Sequence, residues 1–214
     1  MAVTETRLLV LGAVMLFEPV NGYQIRRELL SWGVEDWAHI KPGSIYSALA
    51  TLAANGHAER HDVTDGGRQV AVYTTTASGR EEFQRLHRDA VETVDLLSPL
   101  AFHTAVSLAP LVTRSDFEQR LAVRVERLRD ELARQTAMGS VARGGMPPHV
   151  FAMNELWIDL LTADLRWCES GLGGIRSGAW TFRGEPSDWR PADDDPGWQM
   201  AADRERYRDL LAGE

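Results

Sequence analysis

Apolar residues recur at helical spacing along most of this chain, and the places where the spacing fails mark its turns. Leu8, Leu9, Leu11, Val14, Met15 and Phe17 make a first segment, with Thr4 as candidate cap, that is apolar nearly all round. A helix of that kind is expected to be covered on more than one side. Pro19 ends it, and Glu18 to Gly22 reads as a plain turn. Asn21 is a good N-cap for a second helix to about Leu30, with Ile25 and Leu29 inward and Arg26 and Arg27 outward. Trp32 to Ile40 reads as a loop whose two tryptophans, Trp32 and Trp37, pin it to the core. Pro42 then suits a first helical turn, because its fixed φ is already helical and its missing N–H had no partner there. Ile45, Leu49, Leu52 and Ala53 fall on one stripe, and Asn55-Gly56 stops the helix. Next the period shortens to two. Ala58–Val63 and Gln69–Thr74 read as strands around Thr64-Asp65-Gly66-Gly67-Arg68, where the glycines supply the positive φ that tight hairpins need.

A short helix followed by a two-stranded hairpin with a basic tip is the winged helix-turn-helix pattern, in which the helix enters a DNA major groove and the wing meets the flanking backbone. Beyond it the pattern is helical again. Thr76 is placed to cap a helix from about Ala77 to Leu97 with Phe83, Leu86, Ala90, Val94 and Leu97 spaced by three and four. Pro99 and Pro110 bracket a short apolar helix, Leu100–Leu108. Ser115 is the candidate cap of a long helix to about Met138, and Val150–Cys168 reads as another, separated by a loop over 139–148. From Gly171 the composition turns to Gly, Pro, Asp and Trp. Trp180, Phe182, Trp189 and Trp198 are too many aromatics for a disordered tail, so this segment is expected to pack on the helices and end in a short helix from about Pro196 to Leu211. The reading is mainly α with a small β-hairpin wing: a winged helix-turn-helix over 1–88, a helical dimerisation region over 89–170, and an aromatic-rich tail over 171–214.

Charge complicates this picture. The chain of 214 residues carries a net charge of −8, and none of the segments 1–90, 91–170 and 171–214 holds more basic than acidic residues. DNA binding depends on the local field at the phosphates rather than on total charge. Arg26, Arg27, Lys41, Arg60 and Arg68 are therefore expected to share a face while Glu35, Asp36 and Glu59 point elsewhere. One cysteine rules out an internal disulfide framework and reads as cytosolic. Leu8–Phe17 lacks the flanks of a signal peptide and is too short to cross a bilayer, which takes about 20 residues. No membrane association is expected.

The polar face of the 42–55 helix is where chemistry is expected. Ser44, Ser47, Ala48 and Thr51 are small and present hydroxyls and methyls, the groups that meet base edges and thymine methyls. Tyr46 flanks them, Lys41 and Arg68 are placed as phosphate anchors at either end, and Tyr23 in the first turn of the preceding helix can donate to a phosphate. Pro42, Gly43, Gly66 and Gly67 are read as structural requirements. The bland readings are an ordinary exposed helix face, a packed Tyr23 and a solvated arginine; the wing that follows favours DNA.

These residues resemble a family. Pro42-Gly43-Ser44-Ile45-Tyr46-Ser47-Ala48-Leu49 is similar to the recognition helix of PadR-type regulators, Asn21-Gly22-Tyr23 to their upstream element, Asp65-Gly66-Gly67-Arg68 to their wing tip, and Tyr73 through Gly79 to the motif that closes the wing. The resemblance covers about residues 7–85. It departs at Ala50 and Thr51, where the family usually carries Arg or Lys, and at Thr75, where it carries Leu. It implies a cytoplasmic homodimeric transcriptional regulator, a repressor released by a small hydrophobic effector, that binds a two-fold DNA operator through helix 42–55 and wing 58–74. Half-sites for such a dimer lie about 10 bp apart. Phe102, Phe151, Trp157 and Trp167 are the aromatics expected to line an effector cavity between protomers, against core packing as the commoner role.

Other chemistry lacks its parts. Glycine-flanked serine nucleophiles and phosphate-cradling glycine loops are missing, so neither an enzyme nor a cofactor is expected. The glycines at Gly171 follow no strand and are not a dinucleotide site. His57 and His61 have no partner at metal-ligand spacing, and Cys168 reads as a buried inert thiol. The rival reading is a winged-helix protein-interaction module that no longer binds DNA, supported by the acidic balance and by Ala50-Thr51.

Overall fold

A computed structural model describes residues 2–142, 145, 147–187, 190, 192–195 and 197–213. Nine α-helices and a three-stranded antiparallel sheet are found among them: α1 Ala2–Phe17, β1 Val20–Asn21, α2 Gly22–Ser31, α3 Val34–Trp37, α4 Pro42–Ala54, β2 Ala58–Asp65, β3 Arg68–Thr75, α5 Ala77–Glu92, α6 Leu100–Ser107, α7 Arg114–Ala142, α8 Pro148–Arg176 and α9 Gly197–Ala212. They fall into two compact units, Met1–His87 with Pro186–Glu214, and Arg88–Glu185. The chain thus passes between units within α5 and again after Glu185. Among the described residues no helix is long and apolar enough to cross a membrane.

The first unit is the mainly α, winged architecture that the sequence suggests. Leu8, Leu9, Val10, Leu11, Ala13 and Val14 are all buried, because α1 is packed by α2, α4, β3 and α9 together. Asn21 caps α2 with a reciprocal pair: its side chain accepts from the Gln24 amide, and the Gln24 side chain accepts from the Asn21 amide. Gly22 is where α2 and α4 touch. A Cβ there would stand 3.1 Å from the Tyr46 ring and 3.3 Å from Leu49. The hairpin turns through Gly66 and Gly67, at φ 57° and 80°, and pairs Asp65 with Arg68 and Val63 with Val70. The sheet order is β1-β3-β2.

Several elements depart from the sequence reading. The turn expected at Glu18–Gly22 contains β1, which pairs Val20 with Tyr73 and Asn21 with Val72; two residues are too few to show a period. The loop at 32–40 holds the short helix α3; Trp32 tilts against Phe17, as a pinning residue would, while the Trp37 indole donates to the Trp32 carbonyl within the segment. The fifth helix ends at Glu92 instead of Leu97. The Asp95 carboxylate accepts the Leu97 amide in a local turn, and Leu97 stands in solvent. Thr113, not Ser115, caps α7, accepting the Asp116 amide.

The segment from Gly171 begins inside α8, which continues to Arg176. Two of its glycines stand at close approaches: a Cβ at Gly171 would lie 3.5 Å from Leu121, and one at Gly174 would lie 3.2 Å from the Trp180 indole. In the Arg88–Glu185 unit, α7 and α8 form an antiparallel hairpin whose seam buries Phe117, Leu121, Val125 and Leu128 with Leu161, Cys168, Leu172 and Ile175. Trp180 and Phe182 then close over Phe117 at ring separations of 5.9 and 5.7 Å. Arg114 clamps that turn, donating to the Trp180 carbonyl and the Glu185 carboxylate and lying over the Phe182 ring.

The last helix, α9, belongs to the first unit. Tyr207 is buried against Val63 and Val72 of the wing, with Val70, Leu210 and Leu211 beside it. Its hydroxyl accepts from the Asn21 side chain at 2.8 Å, Asp203 accepts from Gln24 at 2.7 Å, and Arg206 pairs with Asp65 at 2.9 Å. Arg204 donates to the Leu16 and Phe17 carbonyls, supplying partners and positive charge at the open C-terminus of α1. Trp198 stays exposed, with its indole donating to the Ala192 carbonyl. Trp189 and Pro196 lie outside the described residues.

Candidate nucleic-acid interface

Helix α4 divides cleanly. Ile45, Leu49 and Leu52 are buried, while Ser44, Tyr46, Ser47, Ala50 and Thr51 are exposed and Ala48 is half-buried. The structure therefore puts the expected groove-facing residues on one open surface. Tyr46 is 45% exposed, with one ring edge against Gly22; Tyr23, whose bland reading was a packed aromatic, is 60% exposed. The hydroxyls are less free than the sequence suggests. Ser47 donates to the Gly43 carbonyl at 3.1 Å, and Thr51 donates to the Ser47 carbonyl at 2.8 Å. What they offer outward is oxygen lone pairs and the Thr51 methyl, unless the hydroxyls rotate.

The glycines of these motifs differ in what requires them. Gly66 and Gly67 are needed by the turn, since both have positive φ. Gly79 is needed by packing. A Cβ there would fall 1.9 Å from the His57 carbonyl oxygen. Thr76 fixes the same junction by donating to the Gly56 carbonyl and accepting the Gly79 amide. Gly43 has neither reason, because a Cβ there would meet nothing within 4 Å. The fold does not require it, contrary to its reading as a structural residue.

The basic residues do not all gather as expected. Arg60 is held by Asp62 at 2.8 Å, and Arg27 pairs with Glu28 at 3.0 Å. In the strand alternation Arg60 and Arg68 also point to opposite faces of the hairpin. Lys41 and Arg68 are exposed and have no ion pair among the described residues. Lys41 and Arg68 supply positive charge at the two ends of the face, and Arg26, half-buried on α2, also has no ion pair among the described residues. Glu18 is a counterweight the sequence reading missed. It accepts the Thr75 amide and pairs with Arg80, which ties α1 to the end of β3. His57 and His61 are used locally, beside Ser78 and Thr74 respectively.

The expected effector aromatics separate into two groups. Phe102 and Trp167 meet edge to face at 5.6 Å and line one cavity of about 590 Å³ in the second unit. Phe151 and Trp157 are half-buried elsewhere on α8 and do not line it. Arg124, which the sequence reading passed over, lies buried under this cavity. Its guanidinium is 3.8 Å from the Phe102 ring centroid and donates to Asp164 at 2.6 Å. Cys168 is buried and donates to the other Asp164 oxygen; burial first, and the carboxylate second, push its thiol up to about 12.

No curated protein matches this chain. Three solved structures resemble it: the PadR-like transcriptional regulator BC1756 from Bacillus cereus (20% identity, 81% of this chain and 99% of that one, TM-score 0.36), PadR from Bacillus subtilis in complex with operator DNA (18%, 79% and 98%, 0.32), and the same organism's PadR in complex with p-coumaric acid (18%, 80% and 97%, 0.30). At these overlaps the likeness carries no argument about function. The family model is the stronger finding. Residues 10–85 match the Transcriptional regulator PadR-like family, a stretch that runs from within α1 through α4 and the hairpin into α5.

Proposed function

We propose that this protein is a DNA-binding transcriptional regulator that acts as a homodimer and responds to a small ligand by releasing its operator. One observation carries the DNA reading: α4 offers an open face of Ser44, Tyr46, Ser47, Ala48 and Thr51, flanked by Lys41 at its start and by Arg68 where the wing resumes after Gly66-Gly67. Small side chains allow the helix to approach base edges closely, and the two cations and two exposed tyrosines hold its register on phosphate. With so few free cations, the affinity is moderate and the specificity comes from fit.

The dimer is supported by α8. Met153, Leu156, Leu160 and Trp167 form an apolar stripe, each 42–51% exposed, and a face of that kind needs a partner. A second copy is the occupant that a two-fold reader requires. Ligand response is supported by the cavity at Phe102 and Trp167, which borders that stripe. A ligand that fits one separation of the two heads better than another shifts the population between them.

The test is an anisotropy titration against the protein's own upstream DNA at two salt concentrations. Preference over random DNA is expected, with Arg68→Ala weakening all sequences and reducing the salt slope by about 1. Equal binding of random DNA sinks the proposal. A second reading, a protein-interaction module, is favoured by the pairing of Arg60 with Asp62 and by Ala50 and Thr51 standing where cations are usual. It predicts no DNA binding at either salt concentration.

A further inference from the structure

The wing tip carries opposite charges on one face. Asp65 and Arg68 flank Gly66-Gly67 and are direct cross-strand partners, so their side chains leave the hairpin on the same side, together with Val63, Val70 and Val72. Opposite charges so placed ordinarily pair with each other. Here they do not. Asp65 pairs with Arg206 of α9 at 2.9 Å, and Arg68 has no ion pair among the described residues.

Its neighbours on α9 hold Arg206 at that place. Tyr207 is buried against Val63 and Val72, and its hydroxyl accepts from the Asn21 side chain at 2.8 Å. Asp203, one turn earlier, pairs with Arg206 at 3.0 Å and accepts from the Gln24 side chain at 2.7 Å. Asn21 and Gln24 form the capping box of α2, so α9 is fastened to the wing and to the start of α2 alike. The Arg206 side chain is 48% exposed, and an ion pair as open as this adds little to stability. Its consequence lies in which cation Asp65 neutralises. The cation left over is Arg68, at the turn where a wing meets the sugar-phosphate backbone.

We propose that Arg206 is a positioning residue for DNA binding: by occupying the Asp65 carboxylate it leaves Arg68 free for backbone phosphate. The proposal deepens the DNA-binding reading above and rests on it. Without Arg206, Asp65 turns to Arg68, and the wing tip presents a neutralised pair where phosphate contact needs a cation. The test is an anisotropy titration of full-length variants against the protein's own upstream DNA at two salt concentrations. Arg206→Ala is expected to weaken binding by at least about threefold and to lower the salt slope, towards the loss of about 1 expected of Arg68→Ala. Asp65→Asn keeps a residue suited to the tight turn. Added to Arg206→Ala, it is expected to restore affinity to within about twofold of the wild type. Arg206→Ala added to Arg68→Ala is expected to cost nothing further, because the cation it protects is already gone.

Wild-type affinity in Arg206→Ala, additive losses in the double variant with Arg68→Ala, or no restoration by Asp65→Asn overturns the proposal. A readout without DNA separates it from the regulator reading. The Arg68 Nε–Hε cross-peak in a proton–nitrogen correlation spectrum is expected to shift in Arg206→Ala and to return when Asp65→Asn is added. An unmoved cross-peak overturns the proposal as well. Absence of operator preference in the wild type, with the cross-peak moving as expected, leaves the exchange of partners at Asp65 standing and sinks the regulator reading instead.

Discussion

Gly43 and Gly79 sit in neighbouring motifs, and opposite physics governs them. At Gly79 an added Cβ falls on the His57 carbonyl, which is backbone and cannot yield. Gly79→Ala is expected to cost at least about 3 kcal/mol in chemical denaturation, the scale of a severe overpacking. At Gly43 there is open space, and alanine is the better helix former. Gly43→Ala is expected to leave stability equal or raise it by up to about 1 kcal/mol, yet to weaken DNA binding if the helix start lies against a phosphate. Thermal melts and DNA titrations on the same sample separate the two effects. The sequence marks both positions as motif glycines; which one the fold needs depends on what stands within 4 Å of each.

Cys168 illustrates the same point from chemistry. A single cysteine on a helix says little about its reactivity. Burial and the Asp164 carboxylate hold its proton, and Arg124 is the cation that opposes them. The thiol is expected to resist Ellman's reagent in the native state at pH 8 and to react promptly once the chain is unfolded in guanidinium.

At the scale of elements, the helices were legible where their own signals sufficed. Asn21, Pro42, Asn55-Gly56 and Thr76 act as caps or stops as read, and the Gly66-Gly67 hairpin forms where its turn chemistry puts it. Elements defined by a distant partner were not legible. β1 exists because β3 offers it a ladder, and α8 runs through its glycines because Leu121 and Trp180 press close there. The placement of α9 is the largest such case. Its inward residues, Met200, Tyr207, Leu210 and Leu211, keep helical spacing, but they are few, and much of the attachment is polar: Asp203 to Gln24, Arg204 to α1, Arg206 to Asp65. Removing 196–214 is expected to bare Val63 and Val72 and to leave the α1 C-terminus without Arg204. Amide exchange across β2 and β3 is then expected to speed by at least about tenfold, with α7 and α8 unaffected.

At the scale of the whole molecule, the proposed regulator needs two copies, because one recognition helix reaches only one half-site of a two-fold operator. Leu156 lies mid-stripe on α8 and outside the cavity lining. Leu156→Arg is expected to shift sedimentation from dimer to monomer and to lower operator affinity by at least about 100-fold, since each head alone reads one half-site. A monomeric wild type removes that reading.

By itself, the sequence determined the local decisions: where helices start and stop, which face of α4 is apolar, and that a hairpin with Arg68 at its turn follows. Each of these depends on residues a few positions apart, whose interactions survive in any fold. Tertiary structure alone decided that Arg124 lies buried under Phe102 and pairs with Asp164, and that α9 closes over the wing. Those outcomes depend on pairings across 22 to 186 residues, where many partners of equal chemistry compete and geometry picks among them.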